Sequence, residues 1–203
     1  MFTSTTSKFF PDPRSPTPRP VTKNTFNTIK LNNFFIRQPG FTVSAEKTVS
    51  NWADRIYENA RSDYNWLIKR DKKYLTWRYE KNPDYDYVFY IVKQKSKAIG
   101  WWVIRHSDKK VFLVDALFCR KHTGYSVNLA LQKILENYPH AESVFGWFSD
   151  EPKWWNRLLV NTGFEKKRQF QDLYFGVKSY NEHVNFQNFV RNFYFSMGDS
   201  DLF

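Results

Sequence analysis

VFLVDALFCRKHTGYSVNLALQKILENY, residues 111–138, reads as a strand, a basic turn and a helix. Val111 to Cys119 is apolar and β-prone, broken only by Asp115. A run of that length bounded by charge fits a strand buried on both faces. Arg120, Lys121, His122, Thr123 and Gly124 make the turn. Val127, Leu131, Ile134 and Leu135 then recur at helical spacing, which gives the helix one apolar face. The first backbone N–H groups of such a helix lack partners within it, and its dipole favours negative charge there. The turn is therefore a candidate anion site for a phosphate or pyrophosphate. The same residues also read as an ordinary strand–helix connection.

The flanking segments extend this unit. Residues 46–82 read as helical, with Val49, Trp52, Ala53, Ile56 and Ala60 on one stripe and Ser44 or Thr48 as the expected cap. In RDKKYLTWRYEKNPDYDY, residues 70–87, Tyr74, Leu75, Arg78 and Tyr79 lie at helical spacing until Pro83. Arg78 reads as a helix arginine paired with Asp71 or a C-terminal carbonyl. Val88 to Lys93 and Ala98 to Arg105 predict a hairpin. Gly100 inside its second strand signals a bulge or a close backbone approach. Ser143 to Phe148 is a further strand. Pro152 to Asn161 is a short helix with Trp154, Leu158 and Leu159 inward and Asp150 as its cap, ended by Gly163. Phe164 to Arg168 and Leu173 to Val177 predict a closing hairpin. The alternation of helices and strands gives one α/β (or α+β) domain, a central mixed sheet flanked by helices.

Two segments lie outside that unit. Residues 1–45 form a basic arm with Pro11, Pro13, Pro16, Pro18 and Pro20, extended in polyproline style or without fixed structure. Residues 46–178 carry the domain. Residues 179–203 form a tail too rich in phenylalanine to be left in water, and are expected to dock on it.

Composition bounds the class. Aromatic residues make up 20% of the 203, which favours a packed core over a disordered chain. One cysteine excludes an intramolecular disulfide. No apolar run reaches membrane-spanning length and no signal-peptide core is present, so a soluble, cytoplasmic protein is expected. The net charge of +11 suits nucleic acid, a phosphate-rich cofactor or plain solubility, and no motif joins it to nucleic acid. The four histidines show no metal-ligand spacing, and no metal is expected.

The element order, the strand–anion turn–helix centre and the closing NTGF of residues 161–164 resemble the GNAT superfamily of acyl-CoA N-acyltransferases. RDKKYLTWRYEKNP, Asp115 and the terminal FYFSMGDSDLF look like a subgroup in which this unit often forms the second half of a tandem chain. Some of its members are associated with acylation of amino sugars. The resemblance implies acetyl-CoA or another acyl-CoA as co-substrate and a small-molecule amine as acceptor. Main-chain groups of Leu117, Phe118 and Cys119 would meet pantetheine and the thioester. Residues 121–126, with Lys121, His122, Thr123, Gly124, Tyr125 and Ser126, would hold the pyrophosphate, Arg120 or Lys121 adding charge. Asp115 would be the base, or else a buried aspartate that holds a neighbouring loop, and Tyr125 or Tyr174 would be the acid for the leaving thiolate.

The sequence departs from the family pattern in three places. The phosphate motif ends in Ser126, where the family has Gly or Ala. Leu159 stands at the position of the frequent thiolate-protonating tyrosine, and Pro152 at that of an asparagine. These departures support a second reading, a GNAT-fold unit without turnover that serves a structural or interaction role. A homodimer through the tail or a sheet edge is the expected assembly.

Overall fold

The computed structural model describes residues 22–27, 38–168 and 185–200. The first elements in chain order are β1 (Thr22–Asn27), β2 (Phe41–Glu46), α1 (Trp52–Ala60), β3 (Trp66–Leu67) and α2 (Lys72–Leu75). Next come β4 (Val88–Gln94), β5 (Lys97–Ser107), β6 (Lys110–Phe118), α3 (Thr123–Asn137) and β7 (Ser143–Trp147). The chain continues through α4 (Lys153–Asn161), β8 (Glu165–Arg168), α5 (Phe186–Asn192) and β9 (Phe193–Tyr194). Seven strands form one mixed sheet in the order β2-β4-β5-β6-β7-β1-β8, and β3 and β9 make a separate parallel pair.

The sheet core is a β4–β5–β6 meander, antiparallel throughout. Its strands are buried almost without alternation, from Phe89 to Val92, Ala98 to Ile104 and Leu113 to Phe118. Burial on both faces explains why they read as continuous apolar runs. Helix α1 packs against β5 and β6, and α3 against β2, β4 and β5. The α1 stripe Trp52, Ala53, Ile56 and Ala60 is buried, as are Val127, Ala130, Leu131 and Ile134 of α3.

Gly100 meets both demands its position signalled. The register shifts at Val92/Lys93, leaving Ile99 as the extra residue of a bulge. A Cβ on Gly100 would stand 2.0 Å from the Phe118 ring, so that ring lies flat on the backbone of β5.

Several local expectations are corrected. Segment 46–82 is not one helical stretch, because a 3-10 turn over Arg61–Asp63 and strand β3 separate α1 from α2. Ser44 sits in β2 and donates to Glu46, and the N-cap of α1 is Asn51, without a side-chain cap bond. In α4 the core-facing tryptophan is Trp155, with Leu159, while Trp154 is only half-buried. Asp150 does not cap that helix, because its carboxylate is taken by Asn156 and Lys166.

The largest difference lies in residues 1–45. β1 runs antiparallel to both β7 and β8 and joins them, and β2 pairs with β4 at the far edge. Both strands fall in the stretch read as an arm. Within TKNTFN the side chains are too polar to announce a strand, and the backbone ladders on either side supply the drive. The expected strand Leu173–Val177 lies outside the described residues. No helix among the described residues is long and apolar enough to cross a membrane.

Candidate functional site

The strands β6 and β7 pair in parallel only from Lys110↔Ser143 to Leu113↔Gly146. At Gly146 a Cβ would lie 2.7 Å from the Phe148 ring and 3.2 Å from Leu113, so the backbones meet there as closely as they can. Beyond that point β6 continues from Val114 to Phe118 with β5 alone beside it. Cys119 turns its amide towards β5, donating to Ile99 O at 3.0 Å. Main-chain direction alternates along a strand, so Ala116 and Phe118 face the edge that β7 has left.

That edge is covered by the chain itself. Tyr194 donates its hydroxyl to Ala116 O at 2.8 Å. Tyr64 donates to Phe118 O at 3.2 Å and accepts from Phe118 N at 3.4 Å. Ala116 N donates to the Asp115 carboxylate at 2.8 Å. The tail also completes the end of β7. Ser149 N donates to Phe195 O at 2.8 Å, Phe195 N donates to Ser149 Oγ at 3.0 Å, and Phe148 forms a bridge with Ser196. Trp155 closes the space from α4. Its ring stacks on Phe118 at 5.8 Å and lies 5.4 Å from Trp102 and 5.7 Å from Phe148.

Beneath this cover lies a buried polar cluster. The Arg70 and Asp115 side chains are 0% exposed, and Asp199 is 1% exposed. Arg70 Nε donates to both Asp115 oxygens at 3.0 Å, and its terminal nitrogen reaches Asp199 at 2.5 Å. Ser196 and Tyr79 donate to Asp115 at 2.8 and 2.9 Å, and Tyr74 donates to Asp199 at 3.2 Å. Burial, opposed by Arg70 and reinforced by the Asp199 charge, raises the Asp115 carboxyl above the usual aspartate range. Arg78 donates to Gly198 O at 2.8 Å and to Ser200 O, both carbonyls of the tail. Gly198 passes so close to Tyr79 that a Cβ would stand 1.9 Å from the phenol oxygen. RDKKYLTWRY, Asp115 and FSMGDS, three segments far apart in sequence, are thus one hydrogen-bonded unit.

The candidate residues fall in different places. Asp115, expected as the base, has both its oxygens hydrogen-bonded within the cluster, to Arg70, Tyr79 and Ser196. Tyr125 is not at the β6 edge. Its ring lies edge-on to Phe41 at 4.8 Å and its hydroxyl accepts from Gln38 N, beside β2, three strands away from β6. Tyr174 lies outside the described residues. Leu117 and Phe118 are fully buried and Cys119 is 9% exposed. Burial, with the Asp63 charge beside it, pushes the Cys119 thiol up to about 11.

The turn keeps part of its expected character. Arg120, Lys121 and Gly124 are exposed, and a Cβ on Gly124 would touch only Leu158, at 3.9 Å. Thr123 and Ser126 are buried and spend their hydroxyls on the carbonyls of Cys119, Arg120 and His122. His122 stands half-buried at the N-cap of α3 without a side-chain cap bond. Asp63 already accepts from Arg120 N at 2.9 Å, placing the chain's own carboxylate against the turn. Exposed Arg120 and Lys121 suit a phosphate, but residues 117–119 as they stand do not fit a pantetheine chain. The edge it would lie along is bonded to Tyr64 and Tyr194.

No protein-family model and no curated protein sequence matches this chain. Solved structures do. A conserved protein of unknown function from Enterococcus faecalis V583, described as a probable N-acyltransferase, superposes with a TM-score of 0.54 at 14% identity, over 74% of this chain and 38% of that one. A tandem GNAT protein from the clavulanic acid biosynthesis pathway, solved without AcCoA, superposes with a TM-score of 0.50 at 12% identity, over 73% of this chain and 50% of that one. This chain therefore has a GNAT-like fold and spans half or less of the length of these two neighbours. At such identities the likeness extends to the fold and no further.

Proposed function

We propose that this chain is a GNAT-fold unit with a structural or interaction role, whose acyl-CoA opening is closed by its own side chains. One observation carries the reading: Tyr64 and Tyr194 hold the main-chain groups of Phe118 and Ala116 where β6 and β7 part. The buried counter-charge role of Asp115 and the leucine at position 159 support it, since each removes a group that turnover would use. A partner for such a unit would meet it at an edge of the sheet formed by the described residues, β2 or β8, because described aromatic rings of the tail are engaged within their own chain, Phe189 on Trp66 at 5.3 Å and Tyr194 on Tyr64 at 4.9 Å. A second copy of the chain is the simplest such partner.

A second reading, an acyl-CoA-dependent N-acyltransferase acting on a small amine such as an amino sugar, is favoured by the exposed Arg120, Lys121 and Gly124 at the head of α3. Calorimetric titration of the intact chain with acetyl-CoA separates the two. No binding heat is expected, together with a dimer mass by light scattering at micromolar concentration. Sub-millimolar acetyl-CoA affinity would overturn the structural reading in favour of the enzyme, and a monomer mass would remove the second copy.

A further inference from the structure

We infer that the outer face of residues 72–81, centred on Trp77, is a docking surface for an acidic segment of another protein that carries an apolar side chain. This surface is distinct from the sheet edges, and it stands whether or not the acyl-CoA opening is closed.

Trp77 is 66% exposed, the highest value among the large apolar side chains of the described residues. It borders an open cavity of about 680 Å³ that is also lined by Asp54, Asp71, Lys72, Lys73, Thr76 and Lys81. The turn beneath it explains the exposure. At Thr76 helix α2 passes into a π-helical stretch that runs to Glu80, a geometry that recurs at functional sites. The inward side chains of that turn are anchored. Tyr79 donates to Asp115, Tyr74 donates to Asp199, and Arg78 donates to the carbonyls of Gly198 and Ser200. Leu75 and Tyr79 are buried. The turn is fixed with Trp77 facing outward, so a partner that covers the indole orders no loose backbone.

The charge around Trp77 selects the partner. Lys73 and Lys81 stand four residues before and after it and carry no ion pair among the described residues. The nearby acids are already engaged within the chain. Asp71 accepts from Tyr74 N at 2.8 Å and pairs with Lys69 at 3.0 Å. Asp54 accepts from Lys72 N at 2.8 Å, and Glu80 from Val49 N at 2.7 Å. An exposed tryptophan with a positively charged rim has the layout of a small protein-binding hot spot. The net charge of +11 disfavours a second copy at this face and favours an acidic partner. A nucleic acid fits less well, because its evenly spaced phosphates would meet Asp54 and Asp71 in the cavity. A peptide can keep its acids at the rim and bring a neutral side chain to the indole.

The test uses the full chain and a fluorescein-labelled peptide with glutamates on both sides of one phenylalanine, read by fluorescence anisotropy. Saturable binding is expected, and it should weaken as salt is raised. Trp77→Ala should lower the affinity roughly tenfold or more. Lys73→Glu and Lys81→Glu should each lower it and flatten its salt dependence. Lys110→Glu, an equal charge change on an exposed lysine of β6, should leave both nearly unchanged. Melting temperatures at the parent value would show that lost binding is not lost fold, and the lysine variants carry the test if Trp77→Ala does not fold. Absence of binding by the parent, or parent affinity in the Trp77 and lysine variants, would overturn the docking surface. So would single-stranded DNA or phosphatidylserine vesicles bound through these residues in preference to the peptide. Acetyl-CoA binding would count against the closed opening and leave this surface untouched.

Discussion

At the scale of single residues, the arrangement turns on Arg70. It places one guanidinium between two buried carboxylates, and removing one partner of such a set leaves charge uncompensated in a low-dielectric interior. Arg70→Ala should therefore cost about 3–5 kcal/mol in urea denaturation, and a loss under about 1 kcal/mol would show that Asp115 and Asp199 find other partners. Asp115 adds a pH signature. Its folded pKa lies above the ordinary 3.8, chiefly through burial, so the native chain binds this proton more readily than the unfolded one. Its contribution to stability is complete below the unfolded value and is lost as pH rises through the folded one. In a pH series, the stability of the parent relative to Asp115→Asn should fall as pH rises from about 4 towards neutrality. A difference that grows with pH would reverse the assignment. Asp115 was legible as a lone acid in an apolar strand, a pattern that demands a cation. Which cation it finds was not legible, because Arg70 and Asp115 are 45 residues apart and only the fold joins them.

At the scale of elements, the apolar runs of β4, β5 and β6 declared themselves, because burial on both faces forces an unbroken hydrophobic pattern. The amphipathic stripe of α1 did so too. The strands β3 and β9 were not legible, since two residues carry no period. β1 was hidden for a different reason: its side chains are polar and prolines precede it, so the signal lies in the unpaired backbones of β7 and β8. This changes an expectation about the arm. From the sequence, deleting residues 1–30 should be harmless. In the structure the deletion removes the strand through which β8 joins the sheet. The melting temperature should fall by roughly 5–10 °C, a few kcal/mol at about 2–4 °C each for a domain of this size. An unchanged melting temperature would show that β1 adds nothing to the sheet in solution.

At the scale of the whole molecule, the fold joins what the sequence keeps apart. β1 pairs Thr25 with Glu165, and the segment around Tyr194 returns from the other end of the described chain to lie on β6. Within the β4–β5–β6 meander each strand pairs with its neighbour in sequence, so the meander is free to form early, whereas the β1 slot and the C-terminal segment must wait for the distant segments to arrive. Closing large loops before their contacts repay the entropy slows folding, and non-local sheets as a class fold over milliseconds to seconds. Throughout that wait β7 has a bare edge, and a β1 strand from another molecule offers it the same hydrogen bonds as its own. Crowded refolding should thus favour strand exchange between chains, and dilution should favour each chain closing on its own β1.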